Sequence, residues 1–303
     1  MKTGHQRAAG RGDDAQPSPP TLLSILRQST GYLQEAGLDQ PRLEAELLLA
    51  YCLGVSRLDL YLQFERRLLA PELSRIRPLL RSRARGMPFA YITGRKEFFG
   101  LAFEVGEGVL VPRPETELLV ELGVVAAGTA AQIRCADLGC GSGCAGIAIA
   151  ARLPAALVDT VDLDPAAVEF SRRNAIGNGV QERVAVLQGS WAAPLRDRGP
   201  YQLIVSNPPY VTSAEWADLN PGVRDYEPKM ALDGGSDGLD SYRELLPGVA
   251  AVAAPGATIL LEGDPRRMAA LDRLCADLWP QSERRVHQDL SGRDRVLEVR
   301  LRG

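Results

Sequence analysis

The sequence predicts an α/β protein, a mostly parallel sheet of seven strands preceded by a small helical bundle and joined to it by a β-hairpin linker. Three observations carry this. After residue 130, apolar strand-like runs alternate with helical segments, the order of a parallel sheet with helices on both faces. Residues 21–86 instead place apolar side chains at helical spacing with short breaks. Between them, residues 88–112 interleave aromatics with glycines, the composition of short strands and turns. The expected organisation is a flexible tail over 1–20, a helical domain over 21–87, a hairpin linker over 88–114 and a sheet domain over 115–303.

Taken in order, residues 1–20 are rich in Gly, Pro and charge, and end in Pro19-Pro20. Such a stretch lacks the apolar surface to fold. Leu22, Ile25, Leu26 and Leu33 then share one helical face. Leu43, Leu47, Leu48 and Leu49 form a second stripe, and Leu58, Tyr61 and Leu62 a third. Pro41, Gly54 and Pro71 mark helix boundaries. Arg66, Arg67, Arg75, Arg77, Arg81, Arg83 and Arg85 face one acid, Glu72. That run reads either as a solvated face or as a contact surface for an acidic partner or RNA. Phe89, Tyr91, Ile92, Phe98, Phe99, Phe103 and Val105, with Gly94, Gly100 and Gly106, make the hairpin, closed by Pro112 and Pro114. A helix starts over 115–121, where Glu115 and Glu117 suit a positive helix start.

Strands follow at 133–138, 157–161, 184–188, 201–206 and 258–262, with helices over 146–152, 165–174 and 241–253. The last two strands, 286–289 and 296–301, flank the Ser291-Gly292 turn and read as an antiparallel pair.

Composition narrows the function classes. The 303 residues are 45% hydrophobic and 24% charged, the balance of a globular protein. Thirty-five basic residues against 38 acidic ones give a net charge of -3, so no global field draws the chain to nucleic acid or anionic membrane. Five cysteines, an odd number, fit a reduced cytoplasmic protein better than a disulfide framework. No apolar run approaches a membrane span, and the N-terminus lacks the apolar core of a secretory signal. Cys135, Cys140 and Cys144 invite a metal reading, but one lies mid-strand and two flank a glycine loop, so no metal is expected. His5 sits in the tail, and His287 on a late strand reads as structural.

Three segments carry chemistry. Asp137-Leu138-Gly139-Cys140-Gly141-Ser142-Gly143 links a strand to a helix, where glycines let backbone approach a ligand closely. Asp162, ending the next strand, is placed to accept both hydroxyls of a ribose, while Asp164 before Pro165 reads as a helix cap. Asn207-Pro208-Pro209-Tyr210 follows the apolar strand 201–206. Two prolines remove two backbone donors and leave carbonyls free to accept. An Asn oxygen beside such a carbonyl suits a planar –NH2 group, with the Tyr ring over its face.

The glycine loop, the acidic strand end and Asn-Pro-Pro-Tyr resemble S-adenosylmethionine-dependent methyltransferases acting on planar amino nitrogens, either adenine-N6 or protein glutamine-N5. Phe89-Ala90-Tyr91-Ile92-Thr93-Gly94 with Glu97-Phe98, and Val109-Leu110-Val111-Pro112-Arg113-Pro114-Glu115-Thr116-Glu117, resemble the HemK/PrmC family of release factor glutamine methyltransferases. So do Tyr226-Glu227-Pro228, Ala231-Leu232-Asp233-Gly234-Gly235, Asp237-Gly238-Leu239 and Tyr242-Arg243. The resemblance spans about 21–301. It implies a Rossmann-like methyltransferase fold. Gly139, Cys140, Gly141, Ser142 and Gly143 would hold the methionine end of S-adenosyl-L-methionine, Asp162 its ribose and Trp191 its adenine. Asn207 would touch both cofactor and substrate, and Asn207, Pro208, Pro209 and Tyr210 would hold the glutamine of a release factor Gly-Gly-Gln motif. The helical bundle would bind the release factor body. The implied protein is a cytoplasmic monomer without stable nucleic-acid or membrane partners.

The sequence departs from the family pattern in three places. Ser190 stands where Asp is common, Gly263-Asp264 follows Leu261-Glu262, and Arg266-Arg267 replaces a glutamine. The chemistry needs no metal, because the sulfonium is already activated. In this reading Asn207 Oδ1 and the Pro208 carbonyl accept the two amide N–H groups, while Arg113 and Glu115 stand further out. Three other readings share parts of the pattern. A glutamine in a ribosomal protein would use the same chemical residues. An adenine-N6 nucleic-acid methyltransferase would need a basic groove and a target-recognition domain. A non-catalytic cofactor-binding protein would not need Asn-Pro-Pro-Tyr.

Overall fold

The computed structural model describes residues 19–128 and 132–303, so the tail expected over 1–20, with His5, falls almost wholly outside the described residues. Two compact units divide at Arg85/Gly86. No described helix is long and apolar enough to cross a membrane.

The first unit contains α1 (Leu22–Glu35), α2 (Pro41–Leu53), α3 (Arg57–Leu62) and α4 (Ala70–Ala84). Thr21 caps α1 by accepting the Ser24 amide, and Ser56 and Asp59 form a reciprocal cap on α3. Pro41 opens α2, whose end is closed by left-handed Gly54. Leu22, Leu26, Leu33, Leu48, Leu49, Ile76 and Leu80 are buried.

The third expected stripe is corrected. Leu58 is 71% exposed, Leu62 78% and Tyr61 39%, while Leu60 is buried. Six residues make less than two turns, so α3 can present only one side inward. Tyr61 serves a polar role, donating its hydroxyl to Glu46 Oε1 at 2.6 Å. Burial alone would raise the Glu46 carboxyl, but Tyr61, Arg42 and Arg57 together hold it below its ordinary value.

The second unit opens with α5 (Phe89–Thr93), where strands and turns were expected. Pro88 starts this turn and left-handed Gly94 ends it, so local punctuation overrides the aromatic composition. Strands β1 (Arg95–Phe98) and β2 (Leu101–Glu104) then pair antiparallel. Phe98 and Phe103 are buried edge to face at 5.9 Å.

After α6 (Glu117–Ala127) come β3 (Ile133–Leu138), α7 (Cys144–Arg152), β4 (Ala156–Asp162), α8 (Pro165–Gly177), β5 (Val184–Gln188) and β6 (Tyr201–Ser206). The chain closes with α9 (Pro221–Arg224), α10 (Asp240–Val252), β7 (Ala253–Glu262), α11 (Met268–Leu278), β8 (Glu283–Gln288) and β9 (Asp294–Arg300). Asn174 on α8 both donates to and accepts from the Glu104 backbone, and Asn178 donates to Ala102 O. By these bonds and its buried rings, the hairpin is part of this unit.

The sheet order is β5-β4-β3-β6-β7-β9-β8. The first five strands are parallel, and β9 runs antiparallel to both β7 and β8. Side chains alternate between faces, as a period of two requires. Cys135, Leu203, Val205 and Leu260 meet α6 and α7, whereas Ala136, Leu138, Ile204 and Leu261 meet α10 and α11. The chain runs outward from β3 through β4 to β5, then returns to β6 on the other side of β3. The carboxyl ends of β3 and β6 therefore flank a switch point, where open α/β sheets bind ligands.

Candidate active site

A cleft of about 660 Å³ opens at that switch point, entirely within the second unit. Its first wall is the loop between β3 and α7. Gly139, Gly141 and Gly143 all take positive φ there. The Gly139 and Cys140 amides both donate to Val161 O, which folds the loop back onto β4. Asp137 braces the loop from beneath by accepting the Gly146 amide at 2.8 Å, and burial pushes its carboxyl up to about 7. Ser142 lines the cleft with a buried Oγ that has no hydrogen-bond partner among the described residues.

Gly143 is held by sterics as well as φ. A Cβ there would collide with Ser171 Oγ and come within 2.8 Å of Ile147 Cδ1. Gly143→Ala is expected to lose about 3 kcal/mol, from left-handed strain and overpacking together. The thermal midpoint should drop by about 6–12 °C in calorimetry. An unchanged midpoint would contradict the packing described.

Asp162 ends β4 and is mostly consumed by backbone. Its Oδ2 accepts the Gly141 amide at 2.8 Å and its Oδ1 the Asp164 amide at 2.9 Å. Each oxygen keeps a second lone pair, and the residue lines the cleft. Burial raises its carboxyl above the usual aspartate range. Trp191, at φ 47°, lies against Gly139, where a Cβ would come within 3.2 Å of the ring. The Trp191 indole N–H donates to Glu244 Oε2 at 3.2 Å, so α10 provides a carboxylate beside Ser190.

The third wall is Asn207 to Tyr210. Ser206 pairs with Leu138 and its hydroxyl donates to Leu138 O at 2.6 Å, which aligns the ends of β3 and β6. Asn207 Nδ2 donates to Thr116 Oγ1 at 3.0 Å, and Asn207 Oδ1 accepts from no described residue. Asn207 and Pro209 line the cleft; Gly143, Pro208 and Tyr210 do not. Pro208 is buried, and burial pushes the Tyr210 hydroxyl well above its usual value.

Other segments brace this wall. Val211 bonds to Leu232 and Gly234, and a Cβ on Gly234 would strike Pro209 O at 2.7 Å. Buried Glu227 accepts the Val111 amide at 3.0 Å and pairs with Arg113 at 2.6 Å. Arg267, in the divergent 263–267 stretch, pairs with Glu215 and donates to Asp237 O. Arg113 lines the cleft, whereas Glu115 is exposed outside it. His287 bonds to Glu298 across β8 and β9, away from the cleft. Burial raises the thiols of Cys135, Cys140 and Cys144, the last to about 12.

Thr116 and Glu262 were not singled out from sequence. Each lay inside a quoted motif, but nothing local marks a hydroxyl that meets a residue 91 positions away or a carboxyl beside one 146 positions away.

A doubly wound sheet with a glycine loop, an acidic strand end and Asn-Pro-Pro-Tyr at its switch point defines an α/β methyltransferase. The comparisons agree. Residues 24–94 match the PrmC N-terminal domain and residues 115–219 the methyltransferase small domain. A release factor glutamine methyltransferase of Geobacter sulfurreducens is 43% identical, over 82% of this chain and 85% of its own. One of Rhodospirillum rubrum is 37% identical, over 99% of this chain and 91% of its own. A solved structure of the hMettl16 catalytic domain with MAT2A 3'UTR hairpin 6 shares the fold, with TM-score 0.53, 14% identity, and coverage of 77% of this chain and 82% of that one. The chain belongs to the release factor glutamine methyltransferase family.

Proposed function

We propose that this protein methylates the side-chain amide nitrogen of the glutamine in a release factor Gly-Gly-Gln motif, with S-adenosyl-L-methionine as donor. The observation that carries this reading is Asn207, whose Nδ2 is tied back to Thr116 and whose Oδ1 is left as an acceptor at the cleft. The Pro208 carbonyl, which no described backbone amide takes up, would serve as the second acceptor, Pro208 itself standing just outside the cleft lining. Two acceptors recognise the two N–H groups of a primary amide and reject an acceptor-only group such as a carboxylate.

The residues present fit the cofactor. The unpartnered Ser142 hydroxyl calls for a polar ligand. The glycine loop leaves room for one, and Asp162 keeps lone pairs for ribose hydroxyls. Gly139 to Gly143 would hold the methionine end, Asp162 the ribose and Trp191 the adenine. When bound, the cofactor supplies an electrophilic methyl group on a sulfonium.

The remaining work is positional. An amide nitrogen is a poor nucleophile because its lone pair is delocalised into the carbonyl. Asn207 Oδ1 and the Pro208 carbonyl hold the N–H groups, fix the direction of the lone pair and favour positive charge growing on nitrogen. Tyr210, outside the cleft lining, packs against the core behind them. The first unit binds the release factor body, and the protein acts as a cytoplasmic monomer.

The test is mass spectrometry of a purified release factor after incubation with the protein and S-adenosylmethionine. One added methyl on the Gly-Gly-Gln glutamine, absent from a Gln-substituted control, is expected. No methyl despite measured cofactor binding would overturn the substrate assignment in favour of another glutamine, such as one in a ribosomal protein.

A further inference from the structure

Asparagine presents a donor and an acceptor of nearly the same shape, and a 180° turn of its amide exchanges them. Amide recognition at Asn207 works only with oxygen toward the cleft. In the reverse orientation two N–H groups would face each other. Something behind Asn207 must decide between the two.

The residues behind it are Thr116 and Glu262. Thr116 closes the 3₁₀ turn Pro114–Thr116 and is 3% exposed. Glu262 ends β7 and is fully buried. Ser206 pairs with Leu261, so Asn207, just past the end of β6, follows beside Glu262 at the end of β7. The Thr116 and Tyr210 hydroxyls stand next to the Glu262 carboxyl, although neither reaches full hydrogen-bond geometry with it.

We propose that Thr116 is a positioning residue for Asn207, and that the buried Glu262 carboxylate sets the direction of the Thr116 hydroxyl. The inference rests on the amide-methylation reading. A carboxylate only accepts, so the single Thr116 proton turns toward Glu262. The Thr116 oxygen is then left as an acceptor, which selects Asn207 Nδ2 and leaves Oδ1 for the substrate. The chain of polarity runs from Glu262 through Thr116 and Asn207 to the substrate amide.

The groups around Glu262 set the pH range. Burial pushes its carboxyl up to about 7, against the Thr116 hydroxyl and Arg295 on β9. Glu115 adds repulsion, Tyr210 stands beside it, and Tyr242 donates to its backbone oxygen. The Cys144 thiol also feels its charge. As pH falls through this range, Glu262 gains a proton, the Thr116 proton is released toward Asn207, and the preference for Oδ1 is lost. Asp137 titrates in the same range, so a wild-type pH limb alone does not identify Glu262.

The test therefore has two readouts. In protein labelled with ¹⁵N-asparagine, the Asn207 side-chain NH2 pair is assigned by its absence in Asn207→Ala. Those resonances are expected to shift with pH near neutrality in the wild type. In Thr116→Val they should move to mobile, solvent-like positions. Glu262→Gln should abolish their pH dependence. With the Gly-Gly-Gln peptide, Thr116→Val should lower kcat by about 10²-fold, the cost of a small misplacement, with KM changing less. Thr116→Ser, which keeps the hydroxyl, should restore most of that loss. Unchanged Asn207 resonances in Thr116→Val, or wild-type kcat in that variant, would overturn the proposal. Should Thr116→Val fail to fold, the Glu262→Gln resonances decide it alone. A wild type that methylates no release factor would defeat the functional reading while the resonances still report on positioning.

Discussion

Asn207→Ala is expected to lower single-turnover methyl transfer by about 10²–10³-fold, the usual cost of removing one preorganised polar group from a reacting centre. The cleft itself should survive. Asn207 follows a strand whose register is held by Ser206 and Leu138, and its only described side-chain bond is to Thr116. Cofactor affinity should therefore fall by no more than about tenfold, roughly one hydrogen bond. Titration calorimetry beside single-turnover kinetics separates the two effects. Wild-type turnover in this variant would remove Asn207 from the chemistry.

Asp162→Ala should show the opposite pattern. The carboxylate braces the glycine loop through Gly141 and also faces the cleft. Hydrogen bonds to a charged group contribute about 1.5–3 kcal/mol each, so losing both roles should weaken cofactor binding by about 10²-fold or more. Turnover at saturating cofactor should change far less. Because burial raises this carboxyl, its charge disappears earlier than an ordinary aspartate's as pH falls. Wild-type cofactor affinity should decline toward acid pH, and Asp162→Asn should lack that decline. Calorimetry across pH measures both, and an Asp162→Ala protein with wild-type affinity would refute the assignment.

Much of this architecture was legible in the amino-acid order. Strands such as Ile133–Leu138 and Tyr201–Ser206 are largely buried, so they read as mostly apolar runs, with Arg134, Asp137 and Gln202 the polar exceptions inside them. The glycine loop, Asp162 and Asn207 were visible because each directly follows such a run. Local composition misled where a segment is short. Phe89–Thr93 looks strand-like but is one helical turn between Pro88 and Gly94. Leu58 and Leu62 look like core but face outward. The brace around Asn207 left no trace in periodicity, since Thr116, Glu227 and Glu262 meet partners far away in the chain. Ser190 is a similar case. It left the Trp191 wall of the cleft short of a carboxylate by sequence, and Glu244 meets the Trp191 indole from a helix more than fifty positions later.

The central pairing of β3 with β6 also bears on when the protein becomes competent. Ser206 and Leu138 bond across 68 residues, and contacts of such separation form slowly and late. A chain emerging from the ribosome holds its glycine loop long before Asn207 is synthesised. The glycine loop and Asn207 follow the two strands of that pair, so the cleft exists only once β3 and β6 have paired. Competence in this enzyme class is therefore an all-or-none property of the assembled sheet, so its appearance during synthesis dates the closing of the fold.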